Sequence, residues 1–123
     1  MAKKLKLPLD KQAIRDLRAG DRVLLSGTVY TARDAAHQRL YELIQERKPL
    51  PFPIENQVIY YVGPTPAKPG QVIGSAGPTT SSRMDKYTPG LLEMGLKGMI
   101  GKGYRSEEVK KAIVEHEAVY FAA

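Results

Sequence analysis

Apolar residues recur with a period of two in several segments of the chain, which predicts β-strands. Residues 3–9, "KKLKLPL", place Leu5 and Leu7 on one face with lysines opposite, as in a half-buried strand. The continuous apolar run "QVIYYVGP" is typical of a strand buried on both faces, and "LKGMIG" and "AVYFAA" predict two further strands. The segment "DRVLLSGTVYT" predicts either one strand bent at Gly27 or a hairpin that turns at "SG".

Other segments repeat apolar residues at helical spacing and carry helix end signals. Asp10 is a candidate N-cap for a short helix that ends at Gly20, and Ser106 is a candidate N-cap for "SEEVKKAIVEHE". A longer helix is predicted over residues 33–47, because Pro49 stops it, and "SRMDKYTPGLLEMG" is helical in part. The pattern indicates an α/β protein, without the evenly spaced strand–helix units of a doubly wound sheet.

Length, composition and charge narrow the class of protein. The 123 residues, 42% of them hydrophobic, predict one domain over residues 1–123. No apolar run is long enough to cross a bilayer, and "MAKKLKLPLD" lacks the features of a secretory signal, so we expect a cytoplasmic protein with no membrane partner. The chain has no cysteine, which excludes thiolate ligation of zinc or an iron-sulfur cluster by this chain alone. The net charge of +6 is compatible with nucleic acid, an anionic substrate or solubility alone.

The stretch "GSAGPTTSSRMDKYTPG", residues 74–90, has the composition of a binding loop. Glycines and a proline set the backbone, and four hydroxyl side chains precede Arg83. If a helix starts at Ser81 or Ser82, its free N–H groups and Arg83 would favour an anion at the same point. The alternatives are a linker, which the short flanking segments disfavour, or a serine N-cap beside a solvated arginine.

Two other segments each carry a cationic residue whose position bears on ligand binding. In "TVYTARDAAHQRL", Arg33 lies near a predicted helix N-terminus, where a cation is disfavoured unless it serves a ligand. His37, one turn later, is more typical of a packing or hydrogen-bonding residue than of a catalyst. In "GMIGKGYRS", Lys102 lies between two glycines, but Leu96 occupies the first glycine position of a Walker A motif, so we exclude an ATP site.

Taken together, "GSAGPTTSSRMDKY", "TARDAAHQRL" and "GMIGKG" resemble one family across almost the entire chain. They resemble the β-subunit, or C-terminal domain, of class I fumarate hydratases and L-tartrate dehydratases. The resemblance implies a swivelling β/β/α domain with a mixed sheet. Because this sequence stops at "AVYFAA", where the family continues, we expect the C-terminal part of that domain to be missing.

The resemblance also implies an activity, a cofactor and a partner. The activity is a hydro-lyase reaction on a small dicarboxylate, either fumarate to malate or tartrate to oxaloacetate. The implied cofactor is a 4Fe-4S cluster carried by a separate, cysteine-containing α-subunit, whose open iron would act as a Lewis acid on the substrate hydroxyl. The implied assembly is an α2β2 hetero-oligomer, with two copies of each subunit.

Four residues match the family's substrate-binding and catalytic positions. By the resemblance, Arg33, Arg83 and Lys102 hold the two substrate carboxylates, and Thr79 is the base that removes a proton from the carbon next to a carboxylate. A threonine hydroxyl is a poor base without an activator, for which we expect a carboxylate of the α-subunit rather than the local Asp85. Arg105, although nearby, receives no role.

A competing interpretation is a non-enzymatic module that binds nucleic acid or another anion. It would use scattered basic residues, with tyrosines stacking on bases. No RRM-type or helix-turn-helix signature supports it. The residues concerned are "MAKKLKL", Arg15, Arg18, Lys110, Lys111, Tyr60, Tyr61 and Tyr104.

Overall fold

The computed structural model describes residues 2–32, 34–61 and 80–122. Strands and helices alternate along these ranges, as the hydrophobic pattern predicts. In chain order the elements are β1 Lys3–Lys6, α1 Lys11–Arg15, β2 Val23–Ser26, β3 Tyr30–Thr31, α2 Asp34–Gln45, β4 Val58–Tyr60, a 3-10 helix Ser81–Met84, α3 Thr88–Glu93, β5 Gly98–Gly101, α4 Glu107–Glu115 and β6 Val119–Ala122.

The described strands form two parallel sheets. One has four strands in the order β3-β4-β5-β6, and β1 and β2 form a separate pair. The predicted α/β class is confirmed. The mixed sheet expected from the resemblance is not what these strands form, because every strand pairing within the described ranges is parallel. In the four-stranded sheet, α4 returns the chain from the end of β5 to the start of β6, which gives a parallel neighbour.

The segment that follows α1 is neither a single bent strand nor a hairpin. β2 pairs with β1, whereas β3 joins the other sheet beside β4. Gly27 separates them, with a φ of +122° and with Leu7 so close that a Cβ would lie 3.0 Å from its backbone oxygen. The glycine therefore lets the chain leave one sheet for the other, and both sequence interpretations of this segment were wrong.

Local capping explains where the helices begin. The Asp10 carboxylate accepts a hydrogen bond from the Ala13 N–H at 2.7 Å, and the Ser106 hydroxyl accepts one from the Val109 N–H at 3.2 Å. Both predicted N-caps are confirmed. The longest described helix, α2, has 12 residues. Within the described ranges, no helix combines the length and apolarity that crossing a bilayer requires.

The main core lies between the four-stranded sheet and its helices. Ile59 on β4 and Met99 on β5 are fully buried, as are Leu91 on α3 and Val109 on α4. α3 contacts both α2 and α4, so the three helices cover the sheet together. Because the strands are parallel, their carboxyl ends lie together at one edge of the sheet, which is where ligands bind in many open α/β sheets.

Candidate functional site

Two of the segments singled out in the sequence lie side by side at this edge. We call Thr80–Arg83 the TSSR segment and Gly101–Gly103 the GKG segment. Thr80 forms a parallel bridge with Lys102, and the Ser81 N–H donates to the Lys102 carbonyl oxygen at 2.9 Å. Because Lys102 directly follows β5, the TSSR segment extends the sheet where β5 ends.

The structure places Arg83 and Lys102 on these two neighbouring segments. Arg83 is the third residue of the 3-10 helix, and both side chains are exposed. The TSSR segment forms only this four-residue 3-10 helix, so the helix-terminus contribution expected from an α-helix there is absent from the described structure. What the structure does show here is two exposed cationic residues on paired segments.

Arg33 and Thr79 lie outside the described residues, as do Gly74, Gly77 and Pro78 of the predicted binding loop. Their chain neighbours are described. The Ala32 N–H donates to the Tyr60 carbonyl oxygen at 3.2 Å, just past the carboxyl end of β3. Thr80 lies at the same edge, opposite Lys102. The chain therefore brings the neighbours of both residues to the edge that carries Arg83 and Lys102.

Ser81 is turned into the protein rather than toward a ligand. It is fully buried, and its hydroxyl lies 2.7 Å from the Tyr120 hydroxyl. The N-cap position of the 3-10 helix is Thr80, whose side chain makes no capping hydrogen bond. A serine N-cap, the structural alternative for this stretch, is therefore wrong for Ser81, because its oxygen is engaged across the sheet.

The glycines of the GKG segment are required by packing and by backbone conformation. A Cβ on Gly101 would collide with the Ser81 hydroxyl oxygen and would lie 2.8 Å from Cδ2 of Tyr61. Gly103 has a φ of +86°, in the left-handed region that glycine tolerates. Gly101 therefore allows close contact with the TSSR segment, while Gly103 turns the chain after Lys102.

Arg105 has a structural role that the sequence interpretation missed. Its side chain is 2% exposed, and its Nε donates to Oδ1 of Asp85 at 2.8 Å. Nη2 donates to the Thr88 hydroxyl at 2.9 Å, and both terminal nitrogens donate to the Tyr61 hydroxyl at 3.2 Å. The guanidinium also faces the ring of Tyr120, 4.9 Å from its centroid. Arg105 is thus a buried side chain that links several elements, not a surface arginine without a role.

Asp85 is the ion-pair partner of Arg105. Its Oδ1 accepts from Arg105, and its Oδ2 accepts from the Ser106 N–H at 2.8 Å. Asp85 follows the TSSR segment directly, so these bonds attach that segment to the start of α4. Both carboxylate oxygens of Asp85 are therefore engaged within the chain.

Two buried aromatic side chains, Tyr61 and His37, pack together, and Tyr61 contacts Arg105. Burial raises the pKa of Tyr61 above its usual value, against the opposing effect of the Arg105 charge, so the phenol stays neutral and accepts from the guanidinium. His37 is fully buried with its ring edge-on to Tyr61, at 5.1 Å between centroids. The burial and the ring contact agree with the expectation that His37 is a packing or hydrogen-bonding residue.

Three of the residues named for nucleic-acid binding are engaged or buried within the chain, whereas Tyr104 is 89% exposed. Arg15 pairs with Glu117 at 3.3 Å, and Lys110 pairs with Glu107 at 3.2 Å. Tyr61 is fully buried and cannot stack on a base. These contacts weaken the non-enzymatic alternative.

A groove of about 960 Å³ lies away from the cationic segments. It is bounded by α1, by residues leading into β2, and by β6. Its lining includes Leu17, Val23 and Phe121 but neither Arg83 nor Lys102. The groove is therefore separate from the candidate site.

Comparison with known proteins agrees with the motifs. Residues 2–123 match the family model described as Fumarase C-terminus. The anaerobic class I fumarate hydratase of Escherichia coli K12 is 42% identical over 104 residues, which cover 83% of this chain and 19% of that protein. Fumarate hydratase 2 of Leishmania major is 38% identical over 97% of this chain and 22% of its own length.

A relative that is named as an enzyme subunit gives a similar match. The L(+)-tartrate dehydratase subunit beta of Escherichia coli K12 is 38% identical over 106 residues, which cover 84% of this chain and 51% of that subunit. This chain therefore spans about half the length of that subunit and about a fifth of the fumarate hydratases. A match that covers residues 2–123 establishes that the chain belongs to the Fumarase C-terminus family.

Proposed function

We propose that this chain is the β-subunit, or the equivalent part, of a hydro-lyase that acts on a small dicarboxylate. The reaction is the reversible hydration of fumarate to malate or the dehydration of tartrate to oxaloacetate. The observation that carries this proposal is the pairing of the TSSR and GKG segments, which brings two exposed cations to one edge of the sheet in a chain of this family. The names of the relatives support the reaction class.

The cationic side chains suit a substrate with two carboxylates. The guanidinium of Arg83 can bind a carboxylate through two parallel hydrogen bonds, and Lys102 adds a compact positive charge beside it. Ala32 lies at the same edge, and the next residue in the sequence, Arg33, would supply a third cation. Holding both carboxylates fixes the two carbons between them, one of which gives up the proton.

Thr79 is proposed as the base that takes this proton. It directly precedes Thr80 in the TSSR segment, and its hydroxyl needs an activating carboxylate. The α-subunit is the proposed source of that carboxylate, because Asp85 is bound by Arg105 and the Ser106 N–H. In the dehydration direction, the proton leaves this carbon and the neighbouring hydroxyl group leaves as water.

This chain does not fit a 4Fe-4S cluster as its own cofactor. It contains no cysteine, so it supplies no thiolate ligand. We therefore assign the cluster to a cysteine-containing α-subunit in an α2β2 assembly, located in the cytoplasm. The chain would act as a single swivelling β/β/α unit, with the 3-10 helix edge facing that partner.

Substitutions at Arg83 and Thr79 in the assembled enzyme test the site. Arg83→Met removes a charge-assisted bond of roughly 1.5–3 kcal/mol, so kcat/KM should fall about 10- to 150-fold, largely through KM. Arg83→Lys should recover part of the loss, because it restores the charge but not the fork. Thr79→Ala should lower kcat by about 10²- to 10⁴-fold with little change in KM.

The matched control is Arg15→Met, which removes an exposed arginine outside the TSSR and GKG segments. It should leave steady-state kinetics on fumarate and on tartrate near those of the unsubstituted enzyme. If Arg83→Met behaves like Arg15→Met, or if Thr79→Ala keeps a normal kcat, the edge of the sheet is not the substrate site.

A further inference from the structure

One hydroxyl group contacts both segments that carry the proposed substrate cations. The Tyr120 hydroxyl donates to the Gly103 carbonyl oxygen at 3.0 Å and lies 2.7 Å from the Ser81 hydroxyl. Because the Tyr120 proton is directed at Gly103, the Ser81 hydroxyl is the donor in the second bond. Ser81 precedes Arg83 by two residues, and Gly103 directly follows Lys102. The Tyr120 side chain therefore joins the TSSR segment to the GKG segment.

We propose that Tyr120 is a positioning residue that sets the spacing of Arg83 and Lys102 by bonding both of their segments through its single hydroxyl. This inference rests on the proposed function. Tyr120 lies on β6, which is parallel to β5 and pairs its residue 120 with Met99. The tyrosine is thus mounted on a neighbouring strand and reaches across the end of β5 to the two segments.

A second contact of the same ring strengthens the attachment. The Tyr120 ring lies 4.9 Å from the Arg105 guanidinium, which binds Asp85 at 2.8 Å. Asp85 follows Arg83 by two residues. The chain is therefore held on both sides of Arg83. Ser81, before it, bonds the Tyr120 hydroxyl, and Asp85, after it, binds Arg105, which the Tyr120 ring faces.

The spacing matters because the two cations must meet two carboxylates at a fixed separation. The backbone bond from the Ser81 N–H to the Lys102 carbonyl oxygen pairs the segments before the chain turns at Gly103. The Tyr120 hydroxyl adds the contact beyond Lys102, so the lysine is fixed from both sides. Misplacement of a binding group by about 1 Å can cost about 10²-fold in rate.

Tyr120→Phe in the enzyme assembled with its α-subunit tests the proposal. The change removes the oxygen and keeps the ring over Arg105. We expect kcat/KM on fumarate and on tartrate to fall about 10-fold, within the range that such misplacement allows, with most of the change in KM. The control is Tyr41→Phe, which makes the same chemical change on α2, where the ring packs near Tyr87. Its kcat/KM should be unchanged.

A double-mutant cycle separates positioning from general loss of stability. Ser81→Ala breaks one of the two bonds that Tyr120→Phe removes, so it should show part or all of the same loss. The double variant should lose no more than Tyr120→Phe alone, because the bond between Ser81 and Tyr120 is already absent there. Ser81→Ala also carries the test if Tyr120→Phe fails to assemble. The thermal midpoints of the Tyr120→Phe and Tyr41→Phe chains, measured without partner, show whether a kinetic difference exceeds any difference in stability.

The outcomes are distinguishable from failure of the proposed function. If Arg83→Met and Lys102→Met lower kcat/KM while Tyr120→Phe and Ser81→Ala match Tyr41→Phe, the positioning role is wrong and the substrate site stands. Additive losses in the double variant would also overturn the positioning role. If Arg83→Met and Lys102→Met have no effect, the proposed function fails and the inference fails with it.

Discussion

At the scale of single residues, the buried Arg105 is the most consequential side chain outside the predicted site. Its ion pair with Asp85 is nearly inaccessible to water, at 2% and 14% side-chain exposure. Arg105→Met would leave the Asp85 carboxylate, which is mostly shielded from water, with one partner fewer. We expect a loss of about 3–5 kcal/mol in the free energy of unfolding, measured by urea denaturation of this chain.

An exposed pair provides the comparison. Arg15 and Glu117 are 60% and 44% exposed, so Arg15→Met should cost no more than about 1 kcal/mol in the same measurement. Equal costs for the two substitutions would mean that the Arg105 network contributes no more to stability than a surface ion pair.

The sequence pattern that singles out Arg33, a cation beside a helix N-terminus, also occurs at Arg105. A cation beside a helix N-terminus is disfavoured unless it has a partner, and Arg105 directly precedes the N-cap Ser106. Its partner, Asp85, lies 20 residues earlier in the chain, and no local rule connects the two. The burial of Ser81 escaped prediction for the same reason, since Tyr120 is 39 residues away.

At the scale of elements, the approach of the TSSR segment to the end of β5 depends on the absence of a side chain at Gly101. A Cβ there would meet the Ser81 oxygen and the Tyr61 ring. Gly101→Ala should therefore lower the thermal midpoint of the chain. The expected loss in the free energy of unfolding is about 1–3 kcal/mol, which is typical of an overpacked core. The substitution should also lower kcat/KM of the assembled enzyme, because Lys102 is the next residue.

Gly90→Ala is the matched control within a helix. Among the described residues, a Cβ at Gly90 would meet the Tyr41 ring at 3.9 Å, which is ordinary contact. The substitution should raise stability by about 0.5–1 kcal/mol, because alanine loses less backbone entropy than glycine in α3. A Gly101→Ala chain as stable as the Gly90→Ala chain would show that the two segments can separate without cost.

The elements that the sequence predicted well are those whose signals are local. The N-caps at Asp10 and Ser106 and the apolar runs at β4 and β6 were confirmed, because a cap bond or a buried strand is encoded within a few residues. The division of residues 23–31 between two sheets was not predicted. It depends on whether each strand pairs with β1 or with β4, and periodicity within the segment carries no information on that choice.

At the scale of the whole molecule, the proposed division of labour makes this chain dependent on a partner for metal. Purified alone, the chain should show no iron-sulfur absorbance and no dehydratase activity, because it has no cysteine. Activity should appear after anaerobic reconstitution with the α-subunit and should disappear on exposure to oxygen. Absorbance spectra, iron content and the rate of fumarate hydration measure these outcomes.

The Lys102→Met variant controls for assembly in this experiment. It should bind the α-subunit and reach the same iron content, yet hydrate fumarate more slowly. Oxygen-insensitive hydration of fumarate by the isolated chain would contradict the proposed partner and cofactor together.

The mounting of Tyr120 on β6 has a consequence for the order in which the chain acquires its structure. β6 follows every other described element, and its contacts with Ser81 and Gly103 span 39 and 17 residues of sequence. Both contacts are non-local, so they cannot form until β6 has joined the folded part of the chain. A nascent chain that has left the ribosome only as far as α4 already contains both cationic segments but lacks the hydroxyl that joins them. The edge that we propose as the substrate site thus reaches its final geometry only when β6 docks beside β5.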